Sequence, residues 1–147
     1  MIVEATFYDD ISEELAQGAI EVLEKANASY DRFAVPGVFE LPAAIRYAIR
    51  SMEFVGGRRR YDGYIALGCV IRGETTHYDY VCSESARALM DLSTDYCLAL
   101  GYGVLTVENS DQAWARAKRD QGNKGAFTAN AVLGMLGVKE AFGLYPR

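Results

Sequence analysis

An apolar run of nine residues, 63–71, is the feature that most constrains the fold of this chain. It reads GYIALGCVI, which is typical of a central parallel strand that is covered on both faces. It leads directly into a polar turn that ends at His77, and an amphipathic helical pattern follows over residues 78–100. Because parallel α/β sheets bind ligands where strands end and helices begin, the stretch 68–80 is the first candidate for a functional site.

The rest of the chain repeats this alternation of strand and helix. The predicted strands cover residues 1–6, 30–35, 63–71 and 103–107, and the predicted helices cover 12–26, 42 to the glycines at 56–57, 78–100, 111–118 and 126–137. Pro42 lacks an N–H group and therefore fits the first turn of the second helix. We expect Ser12 to cap the first helix, Asn109 or Ser110 to cap the fourth, and Gly101 to end the third.

The order β-α-β-α-β-α-β-α-α predicts an α/β fold. We expect a three-layer α/β/α sandwich of the flavodoxin-like kind, with a four-stranded parallel sheet flanked by helices and right-handed crossovers. A chain of 147 residues buries a substantial core, so one domain over residues 1–147 is expected. In such a sheet the segments that follow the strands meet at one edge: Phe7, residues 39–40, 72–77 and 107–110.

Several side chains at or near that edge suit a planar, polar ligand, and each has an ordinary structural alternative. Phe7 and Phe39 could stack on a planar ring or pack in the core. Glu40 could hydrogen-bond a polyol or favour the helix dipole. Arg116 and Lys124 could clamp a phosphate or be solvated helix charges. The residues by themselves leave these alternatives open.

The turn before the third helix carries the one histidine of the chain. Backbone N–H groups at a helix start suit an anion, and Gly73 with Thr75 and Thr76 could hold phosphate there. The alternative is an ordinary turn with side-chain capping. His77 could exchange a proton near neutral pH or act as a hydrogen-bonded cap. The residues therefore predict a crevice for a planar, polar, phosphate-bearing ligand.

Composition excludes several other classes of function. A net charge of −5 argues against nucleic acid as a partner, and the short basic run at 58–60 is interpreted as a solvated loop. No apolar run approaches the ~20 residues that span a membrane, and no signal peptide is recognisable. A single histidine makes a catalytic zinc site improbable. Three cysteines in apolar patterns, Cys69, Cys82 and Cys97, indicate reduced thiols and a cytoplasmic protein.

Three blocks of sequence resemble the 6,7-dimethyl-8-ribityllumazine synthase family: PGVFELP at 36–42, GCVIRGETTHYDYV at 68–81 and GNKG at 122–125. The resemblance covers essentially the whole chain. It implies condensation of 5-amino-6-(D-ribitylamino)uracil with 3,4-dihydroxy-2-butanone 4-phosphate, without cofactor or metal. It also implies a homo-oligomer, a pentamer or a larger assembly of pentamers, with active sites between subunits.

The family's functional residues carry over to individual positions of this chain. His77 matches the proton-transfer histidine. The phosphate-binding positions are Glu74, Thr75 and Arg116. The positions that bind the ribitylaminouracil are Phe7, Val38, Phe39, Glu40, Cys69, Val70, Ile71 and Tyr102. Tyr102, where the family usually has Phe, and Arg116 are expected to come from the neighbouring subunit.

The chain also departs from the family's pattern. It starts at the first strand, without the N-terminal segment that many members pair with an adjacent subunit. Phe127 stands where some members carry an acidic residue, and residues 118–121 differ from the loop of many members that form hollow shells. The alternatives to an enzyme are a non-catalytic flavin or lumazine carrier on the same fold and a generic flavodoxin-like nucleotide binder.

Overall fold

A parallel sheet with helices on both faces forms the core of the computed structural model, which describes residues 1–54 and 60–146. Within these residues the elements are β1 (Ile2–Ala5), α1 (Asp9–Lys25), β2 (Arg32–Val35), α2 (Leu41–Phe54), β3 (Gly63–Ile71), α3 (His77–Asp95), β4 (Ala99–Val107), α4 (Ser110–Ala117) and α5 (Lys124–Ala141). Short 3₁₀ turns over Thr6–Tyr8 and Val38–Glu40 precede α1 and α2. The predicted α/β/α sandwich is confirmed. The predicted helix end at 56–57 and loop at Arg58 and Arg59 lie outside the described residues.

The strand order of the described sheet is β2-β1-β3-β4, with every pair parallel. β3 pairs with β1 on one side and with β4 along its whole length on the other. Its apolar sequence therefore matches its position, because it is buried by helices on both faces. The predicted bounds of this strand, residues 63–71, are confirmed.

Two hydrophobic clusters flank the sheet. On one face α1, α4 and α5 pack through side chains such as Leu15, Ala113 and Ala129. On the other face α2 and α3 pack through side chains such as Ile45 and Leu89. The helical spacing of apolar residues in the sequence thus corresponds to the faces that meet the sheet.

The prediction that Ser12 caps the first helix is wrong. α1 begins at Asp9, and Ser12 is buried inside it, where its hydroxyl donates a hydrogen bond to the carbonyl oxygen of Ala5 at the end of β1. The helix starts early because the 3₁₀ turn after β1 continues directly into it. Asp9 and Asp10 then occupy the first turn, where carboxylates favour the positive end of the helix dipole.

The predicted boundary between the third helix and the fourth strand is also wrong. α3 ends at Asp95, and the chain reverses through Cys97, whose φ of +51° is left-handed. Cys97 is consequently exposed in a turn and not part of an apolar strand or helix. β4 begins at Ala99 and contains Gly101. A Cβ at Gly101 would lie 2.7 Å from the carbonyl oxygen of Thr128, so α5 can pack this closely against β4 only where the strand has a glycine. This glycine allows close packing and does not stop a helix.

The remaining bounds differ by a few residues from the predicted ones. Asn109 caps α4, since its side-chain oxygen accepts a hydrogen bond from the N–H of Gln112. α5 begins two residues earlier than predicted because Asn123 caps it in the same way, through the N–H of Ala126. It also continues to Ala141, four residues beyond the predicted end.

Candidate active site

A cavity of about 500 Å³ opens at the carboxyl ends of the strands. Its walls come from the 3₁₀ turn after β1, the turn after β2, the last residues of β3 and the start of α3. It brings together nine of the twelve site residues predicted from the sequence, which are Phe7, Val38, Phe39, Glu40, Cys69, Val70, Ile71, Thr75 and His77. Residues separated by as much as 70 positions in the chain thus meet at one place, as expected for a parallel sheet.

Two phenylalanine rings stand at this cavity and lie outside the hydrophobic core. Phe7 is 74% exposed and Phe39 is 58% exposed, so the core-packing alternative does not describe either residue. Each is carried on a 3₁₀ turn that directly follows a strand, and Phe7 contacts Tyr8 edge to face at 5.0 Å between ring centres. Exposed aromatic faces of this kind can stack on a planar ligand.

The β3 side of the cavity is apolar. Cys69 belongs to β3 and is buried in the hydrophobic cluster that includes α1 and α5. Burial raises the pKa of its thiol to about 11. The thiol therefore remains protonated and non-nucleophilic near neutral pH. Val70 and Ile71, the last residues of the strand, are partly exposed toward the cavity. This wall can contact a ring but offers no reactive side chain.

The turn over residues 73–76, which we call the β3–α3 turn, is open to solvent. Beyond its chain neighbours, no described atom lies within 4 Å of a Cβ placed on Gly73. The hydroxyl of Thr75 accepts a hydrogen bond from the N–H of His77 at 3.3 Å, so side-chain capping is present here. The side chain of Thr76, the N-cap residue of α3, makes no hydrogen bond to an N–H group of the first helical turn in the described structure. His77, the first residue of α3, is exposed. Unpaired N–H groups at a helix start can bind an anion.

Three predicted site residues do not line the cavity. Glu74 is exposed on the β3–α3 turn. Tyr102 lies in β4 opposite Ala66 and lines a separate groove of about 250 Å³ with Met90 and Leu100. Arg116 is exposed on α4 and donates a hydrogen bond to the carbonyl oxygen of Gln112 in the same helix. Within one chain, these side chains and the cavity are therefore separate.

The fourth predicted strand end contributes less than the sequence suggests. Residues 107–110 lie at the same sheet edge, because Val107 pairs with Ile71 at the end of β3. None of these described residues, however, lines the cavity. Five further residues line the cavity but were not predicted as site residues, because no catalytic or binding motif marks them in the sequence: Tyr8, Pro36, Gly37, Tyr78 and Val81. Adjacency to a predicted residue was the signal for three of them, Tyr8, Gly37 and Tyr78.

A sequence profile of 6,7-dimethyl-8-ribityllumazine synthase matches residues 1–140. The chain belongs to this family. A relative from Bartonella tribocorum with that name is 54% identical over 143 residues, which are 97% of this chain and 91% of the relative. 6,7-Dimethyl-8-ribityllumazine synthase 1 of Rhizobium meliloti is 53% identical, with 97% and 92% covered, and the synthase of Agrobacterium fabrum is 51% identical, with 97% and 95% covered.

Membership in the 6,7-dimethyl-8-ribityllumazine synthase family confirms the resemblance inferred from the three sequence blocks. It also confirms the assignment to an enzyme, a transferase of riboflavin biosynthesis, over the carrier and the generic nucleotide binder. Over the part of the chain that the structure describes, no cluster of three or more His, Cys, Asp or Glu side chains could hold a metal. No described helix is long and apolar enough to cross a membrane.

Proposed function

We propose that this chain condenses 5-amino-6-(D-ribitylamino)uracil with 3,4-dihydroxy-2-butanone 4-phosphate, to give 6,7-dimethyl-8-ribityllumazine, phosphate and water. The observation that carries the proposal is the single cavity in which nine predicted site residues meet, in a chain of the lumazine synthase family. A reaction that joins two small substrates is accelerated mainly by their proximity and orientation, which can lower the activation barrier by up to ~7–11 kcal/mol in favourable cases. A cavity with aromatic and backbone contacts can supply that gain without a metal.

The pyrimidine is proposed to bind against Phe7 and Phe39, with its ribityl chain near Glu40. The two rings are exposed at the cavity, which leaves their faces free for stacking. The carboxylate of Glu40 can accept hydrogen bonds from the hydroxyl groups of the ribityl chain. The apolar end of β3, from Cys69 to Ile71, would cover the edge of the pyrimidine ring.

The phosphate of the second substrate is proposed to bind at the β3–α3 turn. Backbone N–H groups near Glu74 and Thr75, together with the start of α3, provide donors and the positive end of a helix dipole. Arg116 would complete this site as a charged clamp. Its exposed guanidinium does not reach the cavity of its own chain, which is consistent with a role in a neighbouring subunit.

The reaction is proposed to follow three steps, with His77 as the proton-transfer group. The 5-amino group attacks the butanone carbonyl and forms a Schiff base with loss of water. Phosphate then leaves by elimination, and the second amino group closes the ring with loss of a further water. Each step moves a proton, and the imidazole of His77 lies at the cavity beside the proposed phosphate-binding turn, where it can donate and accept a proton.

The complete site is proposed to form between subunits of a homo-oligomer, a pentamer or an assembly of pentamers, in the cytoplasm. Tyr102 is 42% exposed beside an apolar groove with Met90, and burial already raises the pKa of its hydroxyl to about 12. A neighbouring chain that covered this groove would bring Tyr102 and Arg116 toward a second cavity. Such an interface joins two different surfaces of the chain, the groove of one subunit and the cavity of the next. A heterologous interface of this kind can be repeated around a closed ring of subunits.

The direct test is an assay with both substrates that follows lumazine absorbance and phosphate release. Turnover above the spontaneous reaction is expected. Flavin binding without turnover would instead favour a carrier.

Arg116→Ala should raise the KM for the butanone phosphate by roughly 10- to 100-fold, with little change in the KM for the pyrimidine. The matched control is Arg119→Ala, because Arg119 is three residues away but pairs with Glu14 and Glu21 of its own chain.

Mixed oligomers test whether sites are shared between subunits. Phe7→Ala/His77→Ala removes the cavity side of the site, and Arg116→Ala removes the proposed clamp. If the two sides come from different chains, co-assembly of both variants restores about a quarter of the sites. Activity that never exceeds the mean of the two parents would contradict a shared site.

A further inference from the structure

Arg72 stands between the last strand residue of β3 and the proposed phosphate-binding turn, yet it does not line the cavity. Its backbone N–H donates a hydrogen bond to the carbonyl oxygen of Val107 at 2.9 Å, which extends the pairing of β3 with β4 by one residue. The main chain of Arg72 is therefore fixed to the sheet, whereas residues 73–76 directly after it are exposed.

The side chain of Arg72 contacts three groups on two further elements. Its Nε donates to Oε2 of Glu108, just after β4, at 3.0 Å, and its Nη1 donates to Oδ1 of Asp79 at 3.1 Å. Its guanidinium carbon lies 4.1 Å from the ring centre of Tyr78. Asp79 belongs to the first turn of α3, and Tyr78 forms part of the cavity wall. Arg72 thus connects the ends of β3 and β4 with the start of α3.

The β3–α3 turn has little else in the described structure to hold it. A Cβ at Gly73 would meet no described atom within 4 Å apart from chain neighbours, and the bonds within the turn are local. They run from the N–H of His77 to the hydroxyl of Thr75, and from the N–H of Asp79 to the carbonyl oxygen of Thr76. Neither bond connects the turn to the sheet.

We propose that Arg72 is a positioning residue that orients the β3–α3 turn and the first turn of α3 for binding of a phosphate group. This inference rests on the proposed function. Arg72 acts through Asp79 and Tyr78 and does not touch the phosphate. By holding the helix start against the sheet, it sets the directions of the N–H groups before the ligand arrives, which reduces the entropy lost on binding.

The contacts require arginine and not merely a positive charge. A planar guanidinium presents separate N–H donors to Glu108 and Asp79 while its face stacks on Tyr78. An ammonium group is a compact point charge and cannot make all three contacts at once. A charge-conserving Arg72→Lys variant therefore separates positioning from simple attraction between opposite charges.

The experiment compares Arg72→Met with Arg87→Met. Arg87 is the matched control, because it also pairs with two carboxylates, Glu84 and Asp91, but does so along α3 and away from the cavity. Affinity for inorganic phosphate is measured by calorimetry, and KM is measured for both substrates. Arg72→Met should weaken phosphate binding and raise the KM for the butanone phosphate about fivefold, with the KM for the pyrimidine nearly unchanged. Arg87→Met should match the wild type.

Asp79→Asn distinguishes positioning from direct attraction. If Arg72 positions the turn through Asp79, this substitution should weaken phosphate binding as Arg72→Met does, and the double variant should be little worse than either single variant. If Arg72 only attracts the anion, removal of the Asp79 charge should strengthen phosphate binding, and Arg72→Lys should equal the wild type. Either of those two results would overturn the inference.

The calorimetric measurement keeps this inference distinguishable from the proposed function. A wild-type protein without turnover would overturn the condensation reaction, while loss of phosphate affinity in Arg72→Met would still support the positioning role. A wild-type protein with turnover, in which Arg72→Met and Arg87→Met bind phosphate equally, would overturn the positioning role alone. Equal denaturation midpoints for all variants exclude unfolding as the cause of lost affinity.

Discussion

Two turns of this molecule use their backbones in opposite ways: one lies inside a sequence block shared with the lumazine synthase family, and the other leads into such a block. The β3–α3 turn is exposed, and the helix after it begins without a hydrogen bond from the side chain of its N-cap residue, Thr76. The turn over residues 118–123, which we call the α4–α5 turn, satisfies its backbone internally. There the N–H groups of Gln121 and Asn123 donate to the carbonyl oxygen of Lys118, and that of Gly122 donates to Ala115.

A glycine near each turn shows the same difference: Gly73 lies in the β3–α3 turn, and Gly125 is the second residue of α5, just after the α4–α5 turn. Gly73 has open space around it in the described structure, whereas a methyl group on Gly125 would overlap the carbonyl oxygen of Leu15 on α1. The α4–α5 turn therefore holds α5 against α1, while the β3–α3 turn is left accessible. A shared sequence block thus indicates a ligand site in one case and a packing constraint in the other.

The largest effect is expected from Gly125→Ala. The added methyl group would push α5 away from the backbone of α1, and we expect the free energy of unfolding to fall by about 3 kcal/mol. Urea denaturation measures this change. Gly134→Ala is the control on the same helix, because no described atom would contact its Cβ, and it should leave stability unchanged or raise it by up to ~1 kcal/mol. Equal effects at both positions would contradict the packing role of Gly125.

Asn123→Ala should cause the next largest loss in the free energy of unfolding. Asn123 caps α5 with its side chain and has a left-handed φ of +40°, so alanine would lose the cap and strain the backbone. We expect a loss of about 2 kcal/mol from these two causes together. Asn109→Ala removes a cap of the same kind from α4, where φ is −156°, and should cost about 1 kcal/mol. Thermal or urea unfolding of both variants tests the difference, and a larger loss for Asn109→Ala would be the opposite result.

His77→Ala tests the accessible turn. The side chain is exposed, so the free energy of unfolding should not change, whereas kcat should fall about tenfold because positioning of the substrates remains. His77→Asn is the control for hydrogen bonding without proton exchange near neutral pH, and it should lose as much kcat as alanine does. Full activity in the asparagine variant would exclude proton transfer by His77.

Gly73→Ala should also have little effect on stability. Its φ lies outside the left-handed region and the described structure leaves space for the methyl group, so unfolding free energy should change by less than ~0.5 kcal/mol. The KM for the butanone phosphate should still rise, because the methyl group lies on the surface proposed for the phosphate. A stability loss as large as that of Gly125→Ala would show that the two turns do not differ as described.

Local patterns were sufficient for much of the fold. The apolar run at 63–71 predicted β3 with its observed bounds, because a strand buried on both faces needs continuous apolar side chains. Asn109 was one of two predicted caps and is the observed one. Since parallel strands place their carboxyl ends at one edge, the sequence also predicted that Phe7, residues 39–40 and part of 72–77 meet there, whereas Val38 and residues 69–71 of the cavity were implied by the family resemblance.

The wrong boundaries arose where a contact with another element decides the structure. Gly101 resembles a helix stop in sequence, but it belongs to β4 because α5 packs against it through Thr128. Ser12 resembles a cap, but its hydroxyl bonds the end of β1 from inside α1. In both cases the deciding partner lies on another element, so no local pattern reveals it.

The sequence by itself determined the family, the parallel sheet and the residues at its carboxyl edge, because these depend on residue types and on their order along the chain. Only the tertiary structure decided that Phe7 and Phe39 are exposed and that the α4–α5 turn is closed. It also decided that Arg72 joins Asp79, 7 residues away, to Glu108, 36 residues away. Ion pairs of this kind depend on how β3, β4 and α3 converge, which is a property of packing and not of any single segment.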